Sequence, residues 1–236
     1  MAFDFTTQQN YFINYPSLLK ELLSRPSFFN NEENRYLYLS TWVKNLQNHG
    51  QLLENNFSTP QQKLELYKSI EKEPEIFQQV LDFNTNKIYL HFRISQLKDL
   101  LKRNTNPNIP IVSIDEFTGD SPSYHWSYPD DMKANSIVSS EPIVAVEFPT
   151  NISSFLVIDG NHRIADAIQK DKRNIPCITL GTREVKEHLL TASSFDLQFL
   201  IFNNEIANLG NKKSQENLTD EQLLGLSYLS TGTWNF

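Results

Sequence analysis

The segment that most limits what this chain can fold into is Leu156–Ala167, LVIDGNHRIADA. Three apolar residues run into an acid, Asp159, then Gly160, then a stretch in which Ile164, Ala165, Ala167 and Ile168 fall on a helical face. A short continuous apolar run that ends on an acid and a glycine and is followed by helical spacing predicts a strand, a tight turn and a helix packed back on the sheet. Short apolar, β-branched runs surround this unit: IPIVSIDEF (109–117), EPIVAVEF (141–148), SSFLVID (153–159) and IPCITL (175–180). Strands interleaved with a helix predict an α/β (α+β) core, a small mixed sheet with helical N- and C-terminal flanks.

The turn carries the chemistry. The first N–H groups of a helix lack partners within it, and the helix dipole places positive charge there. Glycine permits close backbone approach, and arginine adds forked donors, so Gly160, Asn161, His162 and Arg163 form a candidate phosphate site. Asp159, at the strand end, has three readings: a Mg²⁺ ligand, a general base, or a group that orients His162. His162 and Asp166 are four residues apart, so a local pair on the helix face is the alternative.

The run VIDGNHRIADAIQKDKRNIPCITL is similar to the signature of the ParB-like nuclease/sulfiredoxin superfamily: strand, (D/G)-G-x-H-R, small-residue helix, short loop, "IPV"-like strand. EPIVAVEF resembles that fold's "P-I-x-V" strand and IVSIDEF its first strand, so the resemblance spans roughly residues 109–181. Departures from the pattern discriminate among its members. Sulfiredoxins carry cysteine where Asn161 stands, and the only cysteine here, Cys177, lies downstream on an expected buried strand. Partition proteins carry a basic G-E-R-R version that binds CTP, followed by a helix-turn-helix that nothing after Leu180 resembles. The free-serine kinases, with a D-G-H-H-R-like motif, are nearest to Asp159-Gly160-Asn161-His162-Arg163.

That resemblance implies ATP or another nucleotide held by residues 160–163, Mg²⁺ on Asp159, and phosphoryl transfer or nucleotide hydrolysis acting on a small hydroxyl substrate. It also implies a carboxylate base elsewhere, for which Glu116, or Asp115 beside it, is the candidate, with Asp159 and His162 as its catalytic companions. A non-catalytic nucleotide- or DNA-binding switch is the alternative. Phosphoryl transfer needs mainly positioning and charge neutralisation, which suits so small a set of groups.

The loop GDSPSYHWSYPDDMKAN (119–135) gathers Tyr124, His125, Trp126 and Tyr128. Tyr124 and Trp126 are candidates for stacking on a base, or for plugging the gap between the core and the N-terminal helices. Asp130-Asp131 either assists a metal or caps the segment MKANSIV.

Three regions are expected: 1–107 mainly helical, 108–182 the α/β core, and 183–236 a helical tail. In the first, Pro16-Ser17 opens one helix, Asn30 to Glu33 begin another that Gly50 ends, Ser58-Thr59-Pro60 starts a third, and EIFQQVLDF restarts the helix after Glu73-Pro74, before the strand KIYLHFRI. In the tail, Ser194 caps one helix, NKKSQEN links, and Leu218-Thr219-Asp220-Glu221 begins the last. Amphipathic flanks leave oligomerisation open.

The formal net charge is −7, and residues 108–182 hold 5 Lys+Arg against 10 Asp+Glu, a net of −5. Duplex binding draws much of its affinity from basic residues, so nucleic acid is disfavoured as a partner, and nucleotide plus a small molecule is preferred. No run of eighteen apolar residues spans a membrane, and the opening MAFDFTTQQNYF lacks the pattern of a secretion signal. One cysteine forms no internal disulfide, and a cytoplasmic location is expected.

Overall fold

The computed structural model describes residues 3–4, 6–7, 9–56, 58–70, 75–103, 109–129 and 140–236, and is a mixed α/β protein. It divides into two compact units, one built from residues 1–95 and 191–236, the other from 96–190. The N-terminal region and the C-terminal tail, expected as separate regions, thus form one unit.

That unit begins with a small antiparallel pair, β1 (Phe3–Asp4) and β2 (Gln9–Asn10), then α1 (Tyr15–Ser24), α2 (Glu32–Asn56) and α3 (Pro60–Ile70). Asn14 caps α1 by accepting from the Ser17 N–H at 3.0 Å. Gly50 does not end α2, which runs on to Asn56. A Cβ there would overlap the Tyr15 hydroxyl, so the glycine serves close approach by Tyr15.

β3 (Ile76–Phe83) and β4 (Asn86–Arg93) form an eight-residue antiparallel hairpin, from Ile76↔Arg93 to Phe83↔Asn86. EIFQQVLDF, expected as helix, is therefore mostly strand. Its apolar residues satisfy either period, and pairing along the whole of β4 decides the matter.

α4 (Ile94–Arg103) follows, and then the second unit's sheet: β5 (Ile111–Ser113), α5 (Asp115–Thr118), β6 (Tyr124–His125), β7 (Ile143–Glu147), β8 (Phe155–Asp159), α6 (Asn161–Gln169), β9 (Asn174–Leu180) and α7 (Thr182–Glu187). IVSIDEF is a strand only over its first residues, and its DEF belongs to α5. The sheet order is β5-β9-β7-β8-β6. β9 runs parallel to β7 and β6 parallel to β8, while the β5–β9 and β7–β8 pairs are antiparallel. The sheet curls, and α5 packs on both edge strands, β5 and β6. Ile143 to Val146 are fully buried on both faces, as a central strand covered on both sides requires. Ile164 and Ala167 of α6 join Ile143, Ala145, Val157 and Cys177 in one core.

The chain closes the first unit with α8 (Ser194–Glu216), α9 (Asp220–Leu226) and α10 (Tyr228–Thr231). The cap of α8 is Ser193, accepting from the Asp196 N–H at 3.1 Å, and NKKSQE continues that helix instead of linking it to the next. Thr219 and Gln222 form a capping box on α9. Among the described residues no helix is long and apolar enough to cross a membrane.

Candidate functional site

The turn between β8 and α6 is built as its residue types demand. β8 carries Asp159 to the sheet's end, and Gly160 caps α6 in the left-handed region at φ 113°. The Gly160 carbonyl accepts from the N–H groups of Arg163 at 2.9 Å and Ile164 at 3.0 Å, which starts the helix. Glycine is needed twice over. An L side chain rarely adopts this φ, and a Cβ would stand 3.0 Å from Arg163 Nη2 and 3.1 Å from both Arg163 Nε and Ile143 Cα.

Arg163 folds back beneath the turn. Its side chain is 9% exposed, with Nη2 2.7 Å from Asp159 Oδ2 and Nη1 3.5 Å from Glu141 Oε2. Its Nε is buried and has no hydrogen-bond partner. Glu141 precedes β7, and the antiparallel register that sets Val144 against Asp159 brings it to this end of the sheet. No local pattern marks Glu141, because only strand pairing places it here.

The other turn residues point outward. His162 is exposed and Asn161 half-buried, and Asn161 Oδ1 accepts from the Ser127 N–H at 3.3 Å. That bond brings the aromatic loop to the helix N-terminus. Further along α6, Gln169 Nε2 donates to Tyr128 Oη at 3.1 Å. Asp166 is paired with Lys170 at 2.6 Å and Lys172 at 3.5 Å. The hydrogen bond from the Lys170 ammonium, ahead of any burial effect, holds its carboxyl below the usual aspartate value.

The loop divides into core and surface. Tyr124 is buried, stacked between Phe117 at 4.7 Å and Phe155 at 5.1 Å, with its hydroxyl 3.3 Å from Thr179 Oγ1. It fills the core of the curled sheet, so it offers no face to a ligand. Trp126 is half-buried against the same core and donates from Nε1 to the Phe117 carbonyl at 2.9 Å. Tyr128, 58% exposed and 5.9 Å from the Trp126 ring, presents an open face beside α6. Asp130-Asp131 lies outside the described residues.

Glu116 is not brought to the turn. It accepts a hydrogen bond from the Ser123 hydroxyl, and the Ser123 carbonyl accepts from the Ser154 and Phe155 N–H groups at the start of β8. Asp159 stands at the other end of that strand, four residues on from Phe155, a span of about 13 Å at 3.3 Å per residue. Asp115, exposed, donates its N–H to Ser113 Oγ at 3.3 Å. Cys177 is buried beside Tyr124 and Thr179, and burial pushes its thiol up to about 11, far from a reactive thiolate.

The donor set does not fit a resident Mg²⁺. Both carboxylates near the turn face the Arg163 guanidinium, and among the described residues no three His, Cys, Asp or Glu side chains converge on a metal position. What the turn offers instead is a short loop of backbone at a helix N-terminus, an exposed imidazole, a side-chain amide and an aromatic face. Comparison with protein families, with curated proteins and with solved structures finds no match for the chain.

Proposed function

We propose that the Gly160–Arg163 turn receives the phosphates of a nucleotide, with Mg²⁺ arriving as part of the nucleotide complex and the base lying against Tyr128. The observation that carries this reading is Gly160, left-handed and without space for a side chain, opening a helix on which half-buried Asn161 is followed by exposed His162. Such a turn exposes N–H groups at the positive end of the dipole. The phosphate ligands are then the backbone of the turn, Asn161 and His162. Arg163 is already neutralised by Asp159 and Glu141, so its part is to brace the turn.

The same site is the place to look for phosphoryl transfer to a small hydroxyl substrate, the chemistry implied by the resemblance to the free-serine kinases. Glu116 is held by Ser123, which bonds the start of β8, whereas Asp159 stands at the turn itself and takes the role of base only by leaving Arg163. The engaged state of Asp159 and Glu141 favours the second reading, a nucleotide-binding switch of ParB-like kind without chemistry.

Titration calorimetry with ATP, ADP, CTP and GTP, each with Mg²⁺, tests the site. His162→Ala is expected to weaken binding about tenfold, the loss of one charge-assisted contact, with the unfolding midpoint unchanged. Arg163→Ala is expected to lower the unfolding midpoint. Equal affinity in wild type and His162→Ala removes the phosphates from this turn. Release of phosphate or ADP over hours with a hydroxyl acceptor then separates transferase from switch.

A further inference from the structure

A second site lies in the unit formed by residues 1–95 and 191–236. Between α1, the connector to α2, the hairpin end and α8 is a cavity of about 100 Å³. Aromatic rings of Phe28, Phe29, Tyr38, Phe83, Phe199 and Phe202 line it. Protein interiors hold few voids larger than water, and an engineered apolar cavity of about 150 Å³ accepts benzene.

The walls are held apart. Phe28 packs on Phe29 at 4.6 Å, Phe29 on Tyr38 at 5.3 Å, Phe199 on Phe202 at 6.0 Å and Phe83 on Phe199 at 6.1 Å. Each of these rings packs on another. The connector is pinned as well. Arg35 Nη2 donates to the Leu23 carbonyl at 2.6 Å and to the Arg25 carbonyl, and Arg35 Nη1 pairs with Glu32 at 3.3 Å.

The polar part of the lining is rich in donors. Arg25 lines the cavity with its side chain half exposed, its guanidinium carbon 4.9 Å from the centre of the Phe83 ring. A single contact to Glu21 at 3.2 Å, one helical turn back, leaves further N–H groups of the fork available. An aromatic chamber with room for one ring and an arginine at its edge selects a flat apolar body bearing a carboxylate. We infer that this cavity binds a monocyclic aromatic carboxylate, its ring among the phenylalanines and its carboxylate on Arg25. The site stands independently of the nucleotide reading.

Ligand-observed NMR and calorimetry on the full chain test it, with benzoate as the probe and toluene as its uncharged counterpart. Wild type is expected to bind benzoate at least about tenfold more tightly than toluene, the difference one charge-assisted contact makes. Arg25→Gln abolishes that preference. Ile206→Phe, which fills the space from α8, removes binding of both. If neither probe binds wild type, or if Arg25→Gln binds benzoate as wild type does, the assignment is overturned. Should Ile206→Phe fail to fold, the Arg25→Gln comparison still decides.

Discussion

Two residues show how far single side chains carry this fold. Glu205 is fully buried, yet its carboxylate accepts from Tyr38 Oη at 2.9 Å, Trp42 Nε1 at 3.0 Å, Ser227 Oγ at 2.8 Å and the Tyr228 N–H at 2.6 Å. Burial, together with the Glu205 charge, pushes the Tyr38 hydroxyl well above the usual tyrosine range, so it stays a donor. Glu205→Ala strands several buried donors at once and is expected to cost about 3–5 kcal/mol, read from urea denaturation. Gly160→Ala forces an L residue to φ 113° against Arg163 and Ile143, and about 1–3 kcal/mol is expected from strain of that kind. The two differ in legibility. Gly160 announces itself, because a glycine between an apolar run and a helical pattern has few other uses. Glu205 sits in NNEIANLG, where a charged residue on a helix reads as solvated, and only the packing of α2, α8 and α10 shows what it holds. Gly50 misleads in the opposite direction, since its signal for a helix end was outweighed by the approach of Tyr15.

At the scale of elements, β8, α6 and β9 were legible because an apolar run ends at Asp159-Gly160, helical spacing follows it, and a second β-branched apolar run, IPCITL, comes after a polar loop. β3 was not, because its sequence supports either period and its partner strand decides. The pairing of α9 with the start of α2 was equally hidden, being a contact across 190 residues. Asp220, buried at the head of α9, accepts from the Asn30 N–H at 3.0 Å and the Asn31 N–H at 2.8 Å, with Lys213 at 3.5 Å. Burial opposes its ionisation, but those two N–H groups and the lysine outweigh it and hold the carboxyl below its ordinary 3.8. A depressed carboxylate stabilises the fold above its unfolded value and loses that contribution as pH falls through the lower, folded one. Asp220→Asn should therefore be less stable than wild type by about 1–3 kcal/mol at pH 7, with the gap closing only below pH 3.8. A gap that does not narrow as pH falls below 3.8 contradicts this.

At the scale of the molecule, the second unit is an insertion in the first. The first unit's chain leaves after β4 and resumes at Thr191, and these ends are joined: Phe92 bridges Thr191, and the Ala192 N–H donates to the His91 carbonyl at 2.9 Å. Replacing residues 96–190 by a short Gly/Ser linker should leave a chain that unfolds cooperatively by circular dichroism, since ends this close need little loop closure. A non-cooperative melt would show that the first unit depends on the second. This organisation was invisible in the sequence, where the flanks read as separate helical regions because pairing between residues 92 and 191 leaves no local trace. Nucleotide binding at the second unit's turn is tested by a thermal-shift series with ATP, ADP, CTP and GTP, each with and without Mg²⁺. At a hundredfold excess over Kd, a ligand that binds only the native state stabilises it by about 2.7 kcal/mol. A raised midpoint with at least one nucleotide, lost in His162→Ala, is the predicted result. A midpoint that none of the four moves at millimolar concentration contradicts the account.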